Sequence, residues 1–334
     1  MKKEYRPEFK DYIGWSPHRL ETWLTCPRKY FFEYVAKIKI PTPPEFARGI
    51  ELHKHMRRFF NKEGKPHYKS EESFANAIKF YWKNVRESGK VNGQEIIWTH
   101  EKQPFWIQAE MIEILKTVYG FYINQEPPIS TEKRFKVIVS DFEDSESAFC
   151  LTGKIDEIRR NLTIRDHKSR RGTPKEEKWD DDYQLTIYTL GLAGLVLDDE
   201  HLTSKILDGR SFSSLFELAT KTDLEIHLMR EGRIITAKHR ADRHFKELFN
   251  TLRDAEERIK HYTKTGNWPT NLECDCGYYR EHCKSNAGED YQLQLFNIPT
   301  LLKKRKDELQ LKLELPRVRR ARKKKKEGIQ RKNK

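Results

Sequence analysis

Two short segments limit this chain more than anything else in its sequence: GKIDEI at 153–158 and IRDHKS at 164–169, separated by a tight turn near Arg160-Asn161. Apolar, β-branched runs bounded by such a turn read as adjacent strands. Strand side chains alternate between faces, so Asp166 and Lys168 share one face, His167 points away, and Asp156 meets the pair from the neighbouring strand. Two carboxylates and an ammonium group then converge. Phosphodiester cleavage needs that set: a divalent ion held by oxygen ligands polarises the phosphoryl oxygen and lowers the pKa of an attacking water, while a lysine positions the water or offsets developing charge. The backbone carbonyl of His167 would be a further ligand. An aspartate-x-lysine triplet is common by itself, most often as an ordinary ion pair at a strand end, so its surroundings decide its meaning.

Those surroundings read as an α/β core. SPHRLETWLTCPRKYFFEYV at 16–35 is an amphipathic helical segment with Ser16 as N-cap and Pro17 at the first helical position, either one helix or two broken at Cys26-Pro27. The connector IPTPPEF at 40–46 ends it, and a second helix begins at RGIELH, carrying His53. From about 72 to 124 the periodicity is helical, which suits an inserted subdomain spanning about 57–126. Strands follow at 133–139, 148–159 and 162–166, joined in part by the acidic loop DFEDSES; then come a helix over 181–197, a hairpin over 223–238 turning at Glu231-Gly232, and a charged amphipathic helix over 241–265. Strands packed with helices give an α/β fold.

Five features standing in one order, namely the 16–35 segment, GIELH at 49–53, GKIDEI, RDHK and QLTIY at 184–188, resemble the RecB-like and AddB-type branch of the PD-(D/E)xK nucleases. Exonuclease V and the CRISPR-associated RecB-like exonucleases are relatives in that branch. The resemblance implies a restriction-endonuclease-like core, with a central mixed sheet flanked by helices, a helical insertion and a C-terminal cysteine cluster. It implies His53, Asp156 and Asp166 as ligands of Mg²⁺ or Mn²⁺, and Lys168 as the catalytic lysine. Gln184 and Tyr188, one helical turn apart and so on one face, would contact the DNA strand and brace the site. Glu132 would support it. A lone helical histidine is otherwise more often a surface or satisfied core residue, and His55, two positions on, points elsewhere.

Cys26 stands early, while Cys274, Cys276 and Cys283 stand late. By the same resemblance these four thiolates would hold a 4Fe-4S cluster that staples the two ends of a domain spanning 1–298, through a cluster-binding segment at 266–290. Cys274 and Cys276 are one residue apart where the family pattern has two, and a zinc ion could use the same ligands. Cys150, on a strand beside Leu151, reads as a buried apolar thiol.

The chain has 334 residues, and 65 Lys+Arg against 51 Asp+Glu give a net charge of +14, which favours polyanionic partners such as DNA. Much of the excess lies in a tail at 299–334, where RVRRARKKKK should stay solvated. Arg159, Arg160, Arg165, Arg170, Arg171 and Lys175 are expected to form a basic rim around the active strands, and Trp15, Trp23, Tyr183 and Tyr188 are available to stack on bases, although most such rings belong to cores. No apolar stretch approaches the roughly 20 residues that span a bilayer, and the amino terminus lacks an apolar signal core, so a cytoplasmic, reducing compartment is expected. No GxxxxGK(S/T) loop occurs, so ATP-driven unwinding would need a helicase partner. The expected activity is an exonuclease on single-stranded DNA ends in repair, recombination, phage replication or defence. The alternative is a catalytically silent DNA-binding subunit of a helicase-nuclease or CRISPR-adaptation complex.

Overall fold

A computed structural model describes residues 13–271, apart from 62–63, 142–146, 171–175 and 208–210. Its centre is a mixed sheet. The long strand β5 (Ala148–Arg159) pairs antiparallel with β4 (Ser130–Ser140) along one edge. On its other edge it pairs first with the short parallel strand β1 (Gly14–Trp15) at Cys150 and Leu151, then with antiparallel β6 (Thr163–Lys168) over Glu157, Ile158 and Arg159. Among the described residues nothing pairs with β5 between those two contacts on that edge, and Asp156 lies at the point where β5 and β6 part. The turn joining them needs left-handed backbone at both Asn161 and Leu162, the geometry that suits a tight hairpin. Next to β6 runs parallel β7 (Asp223–Leu228), followed by antiparallel β8 (Arg233–Ala237) at the edge.

The crossover from β6 to β7 carries α6 (Tyr183–Asp198). This helix is apolar nearly all round and almost wholly buried, as a helix enclosed by a core must be. It lies so close to the sheet that a Cβ added at Gly191 would stand 2.6 Å from the Phe135 ring, and one at Gly194 2.4 Å from Val137 Cγ1. The final described helix, α9 (Asp242–Thr265), buries Phe245, Leu248, Phe249, Leu252 and Ile259 at helical spacing and ends on left-handed Gly266.

The first helical segment divides at Cys26 as its sequence indicates. Ser16 caps α1 (Pro17–Thr25), accepting from the Arg19 N–H at 3.2 Å, and α2 (Pro27–Tyr30) continues into a π-helical turn, Phe31–Val35. Helix α3 (Pro44–Met56) starts earlier than expected: Pro44 is its first residue, a place where a missing N–H costs nothing, so the proline connector ends at Pro43. Its Leu52, His55 and Met56 join α4 (Glu71–Ser88) and α5 (Gln103–Tyr122) in a second hydrophobic cluster around Phe74, Trp82 and Met111. Between α4 and α5 lies a small hairpin, β2 (Lys90–Val91) and β3 (Gln94–Glu95), in a stretch whose periodicity reads as helix alone. Among the described residues no helix is long and apolar enough to cross a membrane.

Candidate active site

Strand alternation sorts the residues of β6 onto two faces. Asp166 and Lys168 reach the face covered by α6, whereas Arg165 and His167 reach the face covered by α5, where Phe121 and Tyr122 pack. Lys168 Nζ lies 2.7 Å from Asp166 Oδ2 and donates to Gln184 Oε1 at 3.0 Å. The Gln184 amide in turn donates to Asp166 Oδ1 at 2.7 Å and to the Tyr188 hydroxyl at 3.1 Å. Gln184 can do this because Asp182 caps α6, accepting from the Leu185 N–H at 3.2 Å, and so aims the first turn at β6.

Asp156 completes the floor. Its Oδ2 accepts from the backbone N–H of His167 at 2.9 Å, and its Oδ1 lies 3.2 Å from His53 Nδ1. His53 comes from α3, and its near neighbour His55 is turned into the second core, where its Nε2–H donates to the Phe74 carbonyl at 2.8 Å. Glu132 stands across from Asp156, since Thr131 and Lys133 on either side pair with Glu157 and Ile155. Its φ of 54° lies in the left-handed region, which non-glycine residues seldom adopt and which recurs at functional sites. Its carboxylate pairs with Lys154 and approaches His53 Nδ1 to 3.9 Å.

Electrostatics separates these groups. Burial disfavours the charged form of Asp156, but His53 and the His167 amide override it and hold the carboxyl below its usual range. Burial also raises Asp166; Lys168 opposes that and the like charge of Asp156 adds to it, leaving Asp166 above the ordinary value. Lys168 is pushed down by burial yet ends raised, because Asp166 and Asp156 favour the ammonium form. His53 likewise ends raised: burial lowers it, and Asp156, Asp166 and Glu132 more than compensate.

This donor set fits a divalent cation. Ligand atoms of His53, Glu132 and Asp156 all lie within 4.8 Å of one another, and Asp166 Oδ2 is buried without a hydrogen bond of good geometry despite its ion pair. Carboxylate oxygens are ligands that suit Mg²⁺ or Mn²⁺, and the imidazole is a donor that suits other divalent ions as well. The residues singled out from sequence, His53, Asp156, Asp166, Lys168, Gln184 and Tyr188, thus meet at one place, with the backbone of His167 against Asp156. The side chain of His167 is buried on the other face beside Glu157 and His227.

A groove of about 1900 Å³ runs over this floor, walled by α1, α3 and α6. Its cations are not the expected rim. Arg165 is 3% exposed and paired with Glu225 at 2.7 Å on the opposite face. Arg159 and Arg160 sit at the far end of β5, near Glu157 and Glu126, and do not line the groove. The reason is alternation: a side chain next to Asp166 cannot share its face. Of the six, Arg170 lines the groove, and Arg171 and Lys175 lie outside the described residues. The groove's charge comes instead from Lys54 of α3, from Arg57 and Arg58 just after it, and from Arg134, Lys136 and Lys154 of β4 and β5. The spacing of Arg134 and Lys136 on one strand was the available signal. Trp15 and Trp23 are core residues, not stacking platforms.

The two ends of the fold meet at Cys26. After α9, Trp268 packs against Tyr30 and Phe31, Arg28 N–H donates to the Pro269 carbonyl at 3.1 Å, and the Asn271 N–H lies 3.5 Å from Cys26 Sγ. Cys26 and Cys150 are both buried and, among the described residues, form no disulfide. Cys274, Cys276 and Cys283 lie outside the described residues, as does the basic tail.

A family model described as the PD-(D/E)XK nuclease superfamily matches residues 14–285. No curated protein sequence matches the chain. Among solved structures, a candidate exonuclease from Eubacterium rectale resembles it with a TM-score of 0.42 and 11% sequence identity, over 86% of this chain and 92% of that one. Likeness at that level carries no weight for function.

Proposed function

The chain belongs to the PD-(D/E)XK nuclease superfamily, and from that premise we propose that it hydrolyses DNA phosphodiesters from single-stranded ends with Mg²⁺ or Mn²⁺. The observation that carries this reading is the meeting of His53, Asp156, Asp166 and Lys168 on one groove floor, braced by Gln184. His53, Asp156 and Asp166 would hold the ion, with Glu132 and the His167 carbonyl as further donors. When bound, such an ion polarises the scissile phosphoryl group and acidifies water beside it.

The rest falls to the chain. Lys168, whose ammonium form Asp166 and Asp156 favour, would donate hydrogen bonds that orient the attacking water and offset charge on the phosphoryl oxygens. Gln184 fixes Lys168 and Asp166 relative to each other through both ends of its amide. The lysines and arginines of α3, β4 and β5 track the phosphates of the strand.

We assign the chain to the RecB-like, AddB-type branch and Cys26, Cys274, Cys276 and Cys283 to a 4Fe-4S cluster, with zinc as the alternative. Support comes from the position of Asn271 against Cys26: Cys274 follows three residues later, a reach of about 10 Å in extended chain. The domain would then span 1–298, with the helical insertion at about 57–126, the cluster segment at 266–290 and the tail at 299–334. Work on duplex ends would require a helicase partner, in a reducing compartment such as the cytoplasm.

The test is anaerobic purification followed by digestion of end-labelled single- and double-stranded DNA, with and without Mn²⁺. Wild type should cut and Asp166→Ala should not, while both bind the strand. Undiminished cutting by Asp166→Ala would overturn the site. A folded, strand-binding but non-cutting wild type would favour the accessory-subunit reading.

A further inference from the structure

Beside the groove lies a second cavity, of about 460 Å³, walled by Arg48, Gln103, Trp106 and Glu110, with Arg170 at its mouth. Glu45, Arg48 and Arg170 line both spaces, so the cavity continues the groove. Arg48 and His53 share α3 and stand five residues apart, about 7.5 Å along the helix axis.

Arg48 is 8% exposed, and its Nη1 donates to Glu110 Oε2 at 2.7 Å. Its Nε is buried with no hydrogen-bond partner among the described residues. Arg48 nonetheless lines the cavity, so part of its side chain borders the space. Glu110 is shared, its other oxygen being taken by Arg230 at 2.7 Å, so two guanidinium groups meet one carboxylate there; Glu45 is the other acid in the lining. Arg170 adds an exposed guanidinium, held over the Trp179 ring at 5.0 Å.

The opposite wall is aromatic. Trp106, in the first turn of α5, is 57% exposed, and its ring is held by stacking on His100 with centroids 5.0 Å apart and planes 14° apart. A tryptophan with more than half its surface in water, in a cavity with two guanidinium groups, combines the two elements that single-stranded nucleic acid sites use: a stacking platform for a base and cations for the adjoining phosphates.

We infer that this cavity is a nucleotide subsite of the groove, taking one base of the bound strand on Trp106 and its phosphate against Arg48 and Arg170. The inference rests on the nuclease reading and adds to it a place where the strand is gripped away from the cleaved bond. Because the platform is a ring face, it accepts any base, and what it demands is an unpaired one.

The test scans an oligodeoxynucleotide with single abasic sites and measures binding by fluorescence anisotropy to full-length Asp166→Ala protein, which should hold the strand without cutting it. One or two positions should show about a ten-fold loss of affinity. Adding Trp106→Ala should erase that position-specific loss and leave the rest of the profile in place, while Trp106→Phe should restore it in part. Trp106 is exposed, so these variants should fold. A profile identical with and without Trp106 overturns the subsite alone. Failure of Asp166→Ala to bind any strand, together with absence of cleavage by wild type, overturns the subsite and the nuclease reading together.

Discussion

Lys168 draws its proposed role from its neighbours more than from its own chemistry. Asp166 at 2.7 Å and the Gln184 carbonyl at 3.0 Å hold it charged and directed, so Lys168→Ala should lower kcat by about 10²–10³ while strand affinity changes only a few-fold, measured with end-labelled DNA in Mn²⁺. His55 offers a prediction outside the site. Burial lowers it to about 4, below the value near 6.5 in an unfolded chain. The unfolded state then binds the proton more readily, so this stability is intact above about pH 6.5 and is lost as pH falls towards 4. The loss should be on the order of 2–3 kcal/mol, seen as a falling denaturation midpoint between pH 7 and 4.5 that His55→Phe flattens. His53 and His55 share α3, yet their roles diverge because two positions along a helix differ by about 200° in direction.

At the scale of elements, the site depends on how closely α6 approaches the sheet. Phe135 is enclosed between Gly153 of β5 and Gly191 of α6, and a Cβ at either would come within 2.6 Å of its ring. Gly191→Ala should therefore destabilise the protein by about 1–3 kcal/mol and lower activity as well, because α6 also carries Gln184 and Tyr188. Thermal unfolding by circular dichroism, run beside the cleavage assay, checks both. Helix α3 works from the other side. It contributes His53 to the site and Leu52 and Met56 to the second core, so the helical layer of α4 and α5 anchors an element of the groove wall.

For the whole molecule, the return of the chain after α9 to the α1–α2 junction brings Pro269 and Asn271 against Arg28 and Cys26. If the four cysteines hold a 4Fe-4S cluster, anaerobically purified protein is brown, and Cys26→Ala bleaches it and lowers Tm by several degrees. A colourless protein with stoichiometric zinc would replace the cluster by that metal. Removing residues 299–334 should weaken strand binding and flatten the slope of log K against log salt without changing the rate of the chemical step, as read by titration at several salt concentrations and single-turnover cleavage.

The strands β4 to β8, the break at Cys26-Pro27 and the helices α6 and α9 were legible because caps, prolines, turns and hydrophobic periodicity act over a few residues. Asp156, Asp166 and Lys168 were legible for the same reason: alternation on two adjacent strands is a local rule. What required the tertiary structure was every relation between distant elements. Burial on the α5 face removed Arg165 from the groove, and the register of β4 on β5 set Glu132 across from Asp156. Helix packing, not spacing along the chain, put Arg48 and Trp106 around one cavity. Local chemistry specifies which elements form and which side chains share a face; which faces then meet is decided by packing summed over the whole core.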